Sequence, residues 1–342
     1  MQPSFKRYLA GLGAALAGVL ASVWLYVALM QMAYVESGYA AWVAKSNMLD
    51  ACRLGEVAFF GDSRLEAGVV PALLPVPASN FAVAAGTAVE TRSAVDRALR
   101  CPVAPRQAVL SLSPEHFGPL SRFFWLLTLR YGFLAPGELL QTERLADSLG
   151  DAQSFATPTP DGLSGRLRDW LYELRFPSLS FSSLVQGRVF GRLGSNEARL
   201  ASVLQARGWS EYAGGEGAPP EKLPVVQTKL QVAAFEAALD ALRARGVETR
   251  LLIMPRSEAE TPQADAEALY LASLTEATRR FPGVAIVGAG IPRWPARLFA
   301  DGLHLNREGA ERFTALLAGC MEGGRLSAAC DLSWREGAAA AR

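Results

Sequence analysis

The stretch that decides the fold is Val57-Ala58-Phe59-Phe60-Gly61-Asp62-Ser63-Arg64. Four consecutive apolar residues run into a Gly-Asp-Ser turn. An apolar run this short, stopped by glycine, reads as a strand buried on both faces. Working outward, Asn80-Phe81-Ala82-Val83 reads as a second strand, and Ala108-Val109-Leu110-Ser111-Leu112, stopped by Pro114, as a third. Thr249 to Met254, stopped by Pro255, is a fourth, and Val284-Ala285-Ile286-Val287 a fifth. Between them lie helical patterns over Glu90–Arg100, Gln227–Arg245, Ala264–Phe281 and Arg307–Met321, with Gly246 placed to end the second of these. Apolar strands alternating with amphipathic helices predict an α/β fold, a parallel sheet covered on both faces.

The segment 115–225 breaks the alternation. It carries Pro, Gly and Ser clusters, notably Ala213 to Pro220, and reads as a mostly helical insertion over one end of the sheet. Within it Phe123–Leu127 is apolar but bracketed by Arg122 and Arg130. That stretch suits a core helix better than a membrane-surface element.

From Tyr8 to Val35 there are 28 residues without a charge. As a helix they extend about 42 Å, against a hydrocarbon core of roughly 30 Å. Lys6 and Arg7 precede the run, so the expected topology is a cytoplasmic N-terminus (1–7), a spanning anchor (8–35) and the rest outside. Trp24, Tyr26 and Tyr34 are expected near the outer interface. Ala15-Leu16-Ala17 resembles a signal-peptidase site, but the apolar run continues about eighteen residues beyond it, longer than a signal core needs. The rest divides into 36–114, the insertion 115–225, 226–322 and a tail 323–342.

Composition narrows the function. Of 342 residues 50% are hydrophobic and 20% charged, so the chain can bury a core. Thirty-four basic against 33 acidic residues leave a net charge of +1, which argues against nucleic acid as a partner. Cys52, Cys101, Cys320 and Cys330 lack the close spacing of a zinc site. Outside the cytoplasm they can pair, in any of three ways. There are two histidines, His116 and His304.

Ligands of open parallel sheets bind at the carboxyl ends of the strands, where Ser63 follows strand one. A serine needs a base, and Asp301-Gly302-Leu303-His304 supplies one. An Asp three residues before a His can orient the ring and leave its other nitrogen for Ser63. The milder alternatives are that Ser63 caps a helix and that His304 is structural. His116 reads as a loop residue of the insertion. Arg64 suits a carboxylate partner or a substrate contact, and Arg256 a salt bridge or an anionic sugar or acyl group.

Gly61-Asp62-Ser63-Arg64 and Asp301-Gly302-Leu303-His304 together resemble the SGNH, or GDSL-type, hydrolase superfamily. The resemblance covers about 52–114 and 225–322. It implies a three-layer α/β sandwich with a five-stranded parallel sheet in the order 2-1-3-4-5. It implies Ser63 as nucleophile, His304 as base and Asp301 as its orienting group, with no metal and no cofactor. It further implies an oxyanion hole from the Ser63 N–H, Gly86 and a third donor, normally Asn, where this chain has Ser113. The implied strand order makes strands one and three neighbours, which suggests a Cys52–Cys101 bridge and leaves Cys320 with Cys330. With the anchor, the resemblance implies a single-pass inner-membrane protein with a periplasmic esterase or O-acyltransferase domain. The expected substrate is an acylated envelope or exported polysaccharide, with a membrane acyltransferase or polysaccharide synthase as possible partner. The alternatives are a non-catalytic glycan-binding or docking component, favoured by the missing Asn, and a membrane-lipid esterase or thioesterase.

Overall fold

The computed structural model describes residues 3–121, 123–155, 167, 171, 180–212 and 226–335. The Ala213–Pro220 cluster and residues 336–342 of the tail lie outside these residues. Five strands form one sheet: β1 Val57–Gly61, β2 Ala78–Asn80, β3 Gln107–Ser111, β4 Glu248–Leu252 and β5 Val284–Val287, in the order β2-β1-β3-β4-β5. Every neighbouring pair is parallel, with Phe59 opposite Asn80, Gly61 opposite Ser111, Leu110 opposite Leu251 and Leu252 opposite Val287.

Alternate residues of each strand feed opposite faces. Ala58, Phe60, Ala108, Leu110 and Leu251 join one hydrophobic cluster, and Val57, Phe59, Val109, Leu252 and Val287 the other. That double burial is why the strands read as unbroken apolar runs. The first cluster is completed by α3 (Ser37–Asp50), α5 (Ala88–Leu99) and α9 (Lys229–Ala244), the second by α4 (Ser63–Gly68) and α11 (Arg307–Gly319). The remaining α-helices among the described residues are α1 Pro3–Leu29, α2 Gln31–Tyr34, α6 Pro136–Ser148, α7 Phe181–Phe190, α8 Arg192–Gln205 and α10 Ala264–Arg280.

Strand two sits earlier than its apolar residues suggest. Asn80 turns its side chain under α4, donating to the Leu65 and Val69 carbonyls and accepting from Ala82 N–H. The chain beyond it still bonds β1, through Phe81 N–H to Phe59 O and Val83 N–H to Gly61 O. Within the Phe123–Leu127 stretch Phe124 and Trp125 are buried in a π-helical turn over Phe124–Leu129, edge-on to Phe155, while Phe123 is exposed.

Helix α1 is long and apolar enough to cross a membrane and scarcely buried against the rest of the chain. It ends at Leu29, short of the apolar run's end at Val35. Tyr34 and Val35 belong to the core instead, and the Tyr34 hydroxyl donates to the Val27 carbonyl at 2.6 Å. Tyr34 is therefore covered by protein rather than exposed on the surface. Cys52 is bridged to Cys101 and Cys320 to Cys330, which fits an oxidising compartment.

Candidate active site

Strand β1 delivers Ser63 through one residue. Asp62 is the N-cap of α4, and its Oδ1 accepts from the Arg64 and Leu65 N–H groups at 3.0 and 3.4 Å. Capping is thus the task of Asp62, and the Ser63 hydroxyl is left for other partners. Gly61 is the only residue that fits before it, because a Cβ there would lie 1.8 Å from the Ser111 carbonyl of β3.

The Asp301–His304 loop is held just as tightly. Asp301 Oδ1 accepts from Leu303 N–H at 3.0 Å and His304 N–H at 2.8 Å. Ala300 N–H closes the loop on His304 O, and Asn306 caps α11 by accepting from Gly309 N–H. These bonds leave the imidazole one orientation. His304 Nδ1 lies 2.9 Å from Asp301 Oδ2, and His304 Nε2 lies 2.7 Å from Ser63 Oγ, 241 residues away in sequence. Burial alone would raise the Asp301 carboxyl, but the hydrogen bond and charge of His304 and two backbone N–H groups hold it well below the usual carboxylate range. An ionised Asp301 fixes the proton on Nδ1, so Nε2 is the acceptor that faces the serine hydroxyl. The arrangement can move a proton from a hydroxyl to an imidazole.

Two of the three expected oxyanion donors are committed elsewhere. The Gly86 N–H closes a turn on Val83 O at 2.9 Å. Its missing side chain serves packing, since a Cβ there would meet Val83 Cγ2 at 2.7 Å and the Gly61 carbonyl at 2.9 Å. Ser113 donates both its N–H and its hydroxyl to Asp62 Oδ2, at 2.6 and 2.5 Å. The Ser63 N–H, at the first position of α4, has no intrahelical acceptor.

Both arginines are also turned inward. Arg64 is buried and donates to the Met254 and Pro255 carbonyls at 3.1 and 2.6 Å, with no carboxylate in hydrogen-bond contact among the described residues. Arg256, 2% exposed, pairs with Glu115 and Glu260 at 2.5 and 2.6 Å. Neither is free to meet a substrate. Arg64 ties α4 to the chain leaving β4, and Arg256 ties that chain to the turn after β3.

Two residues enter the site without announcing themselves in the sequence. His116, in the turn Pro114–Phe117 after β3, places Nδ1 3.0 Å from Asp62 Oδ2. Burial opposes its charge, yet the bond to and charge of Asp62, with Glu115 and Glu90 nearby, raise its pKa above the ordinary value. Asp62 is in turn held well below the usual range: burial is outweighed by His116, Arg64 and Ser113. Only its position two residues past Pro114, at the sheet end that carries Ser63, pointed to His116.

Tyr212, which follows α8, lies face to face with His304, ring centroids 3.9 Å apart and planes within 5°. Burial and the Asp301 carboxylate, against which its hydroxyl sits, raise the phenol's pKa. The approach of Tyr212 is pinned: Asn80 N–H donates to Arg207 O, Trp209 Nε1 donates to Ala67 O, and Arg307 pairs with Glu211 at 2.5 Å. No single residue pattern predicts such a strap. Among the described residues no cluster of His, Cys, Asp and Glu has the makings of a metal site.

No protein-family model matches the chain, and no curated protein matches it in sequence.

Proposed function

We propose that this protein is a membrane-anchored serine esterase or O-acyltransferase of SGNH type that works on an acylated sugar of an envelope or exported polysaccharide. One observation carries the reading: Ser63 Oγ, both ring nitrogens of His304 and the Asp301 carboxylate form a continuous hydrogen-bonded row across 241 residues of chain. In the first half-reaction Ser63 Oγ bonds to the acyl carbon while its proton passes to His304 Nε2. Collapse of the tetrahedral centre breaks the ester bond. His304 returns the proton to the leaving oxygen, and an acyl-Ser63 remains. Water or a sugar hydroxyl, deprotonated by the same nitrogen, then bonds to the acyl carbon; the acyl–Oγ bond breaks and His304 returns the proton to Ser63 Oγ. Asp301 stays ionised throughout and stabilises the imidazolium.

The same reading takes the sheet as the middle of a three-layer sandwich and 115–225 as one insertion lying over its carboxyl end. Tyr212 on His304 supports that placement. It places α1 across the inner membrane with Lys6 and Arg7 inside and the folded body in the periplasm, a compartment that suits two disulfides. The sugar-ester substrate and a membrane acyltransferase or synthase as partner follow from the anchor taken with the family resemblance.

A second reading, a non-catalytic glycan-binding or docking component, is favoured by the commitment of the Gly86 and Ser113 donors to internal acceptors. Each missing oxyanion donor costs about 2.7–4 kcal/mol of transition-state stabilisation. Hydrolysis of p-nitrophenyl acetate by the full chain separates the two. The enzyme reading expects turnover that Ser63→Ala abolishes and Asp301→Asn lowers about 10⁴-fold, with an acyl adduct on Ser63 by mass spectrometry. Equal rates for wild type and Ser63→Ala, with no adduct, would leave the binding component.

A further inference from the structure

Helix α7 is built inside out. The fully buried residues of its inward face are small or polar, Ser183 and Gly187, preceded by the buried Ser180, with Leu184 partly buried beside them. Ser183 Oγ accepts from the Arg130 guanidinium at 2.6 Å. A Cβ on Gly187 would lie 2.4 Å from Tyr34 Cα, so the helix presses a nearly bare face against α2. Leu184 packs against the core, but three of the helix's large apolar residues point away. Phe181, Val185 and Val189, four apart and so on one face, are 67%, 51% and 71% exposed, and Leu193 in the next helix is exposed as well. A helix on a water-facing surface shows the opposite pattern. A contiguous apolar ridge facing outward marks contact with something apolar.

Its neighbour identifies the covering. The groove beside α7 is shared by Val23 and Tyr26 of α1 with Leu184, Gly187 and Arg188. Val23 and Tyr26 lie six and three residues before the end of α1 at Leu29, which puts them about 5–9 Å inside that end. Helix α7 therefore runs beside the last two turns of an apolar helix, at the depth where interfacial helices bury an apolar face, roughly 5–10 Å. The Arg188 side chain is exposed at the groove, where a long stem can hold its charge at headgroup level.

We propose that α7 lies in the headgroup–acyl boundary of the bilayer, on the side of the folded body, with Phe181, Val185 and Val189 against the acyl chains. The inference rests on the reading of α1 as a spanning anchor. Because all four cysteines are bridged, a single introduced cysteine carries a spin label alone. The full chain is reconstituted in vesicles of phosphatidylethanolamine and phosphatidylglycerol, labelled at Val185→Cys or Val189→Cys. Leu16→Cys, within α1, and Leu269→Cys, exposed on α10, serve as references. Labels at 185 and 189 should collide several-fold more with oxygen, and several-fold less with a water-soluble nickel chelate, than the label at 269. If 185 and 189 match 269 while 16 is lipid-like, the anchor stands and the docking of α7 is overturned. If 16 is also water-exposed, the anchor fails and takes the docking with it. Protection of 185 and 189 from both reagents, with dipolar broadening between labels, would mean that a second copy of this chain covers the ridge, which also overturns the proposal.

Discussion

At the scale of single residues, the site shows how far local pattern reaches. Ser63, Asp301 and His304 were legible because each sits in a short turn whose own backbone bonds fix it, and such turns are written in neighbouring residues. Tyr212 and His116 were not, because each gains its role from a partner distant in sequence. Tyr212 presents its ring to the imidazole that becomes an imidazolium during the proposed reaction, and a cation over an aromatic face gains about 0.5–2 kcal/mol. Tyr212→Ala should therefore lower kcat on p-nitrophenyl acetate about 2- to 30-fold with little change in KM, and Tyr212→Phe should restore most of it. A loss in KM alone would assign the ring to substrate binding instead. His116 makes a different prediction. Its pKa is raised by Asp62, Glu115 and Glu90 against the cost of burial, so the folded state holds its proton more tightly than the unfolded chain. That stabilisation is complete below the ordinary histidine value and is lost as pH rises through the raised one. Thermal unfolding of the wild type should fall across that window, and His116→Gln should flatten the dependence.

At the scale of elements, β1, β3 and β5 were readable because burial on both faces demands apolar runs stopped by Gly or Pro, whereas β2, with Ser79 and Asn80, was placed too late. Helix α3 was not readable, and its residues explain why: Ala40, Ala41, Trp42, Ala44, Lys45, Met48 and Leu49 are all buried, too many sides for an amphipathic stripe. Lys45 is wholly buried and donates to Glu66 at 2.5 Å and to the Ala82 carbonyl. Burial lowers its pKa, and Glu66 works against that shift. The pair ties α3 to α4, three residues beyond Ser63. Removing one partner leaves a buried charge alone, so Lys45→Met should cost about 3–5 kcal/mol in chemical denaturation. Adding Glu66→Leu should recover much of the loss. An additive double variant would mean that the two groups do not act as a pair.

At the scale of the whole molecule, the Cys52–Cys101 bridge joins the end of α3 to the end of α5, closing 49 residues of chain that include β1 and Ser63. Closing a loop of that length stabilises by about 4 kcal/mol in the chain-entropy account, against about 3 kcal/mol for the ten-residue Cys320–Cys330 loop. The paired variant Cys52→Ala with Cys101→Ala should thus unfold at distinctly lower denaturant than Cys320→Ala with Cys330→Ala. The reverse order would show that strain or residual structure, rather than loop length, sets their worth.

The junction at Met30 carries a consequence for reach. One residue separates α1 from α2, and a phenol spans the break. A catalytic body hung on a long polar leash can sweep a wide volume. This chain has no slack at that junction, so under the proposed anchoring the Ser63–His304 cleft rides on a post at constant altitude. On that reading the proposed substrate must be brought to that height rather than sought out by wandering.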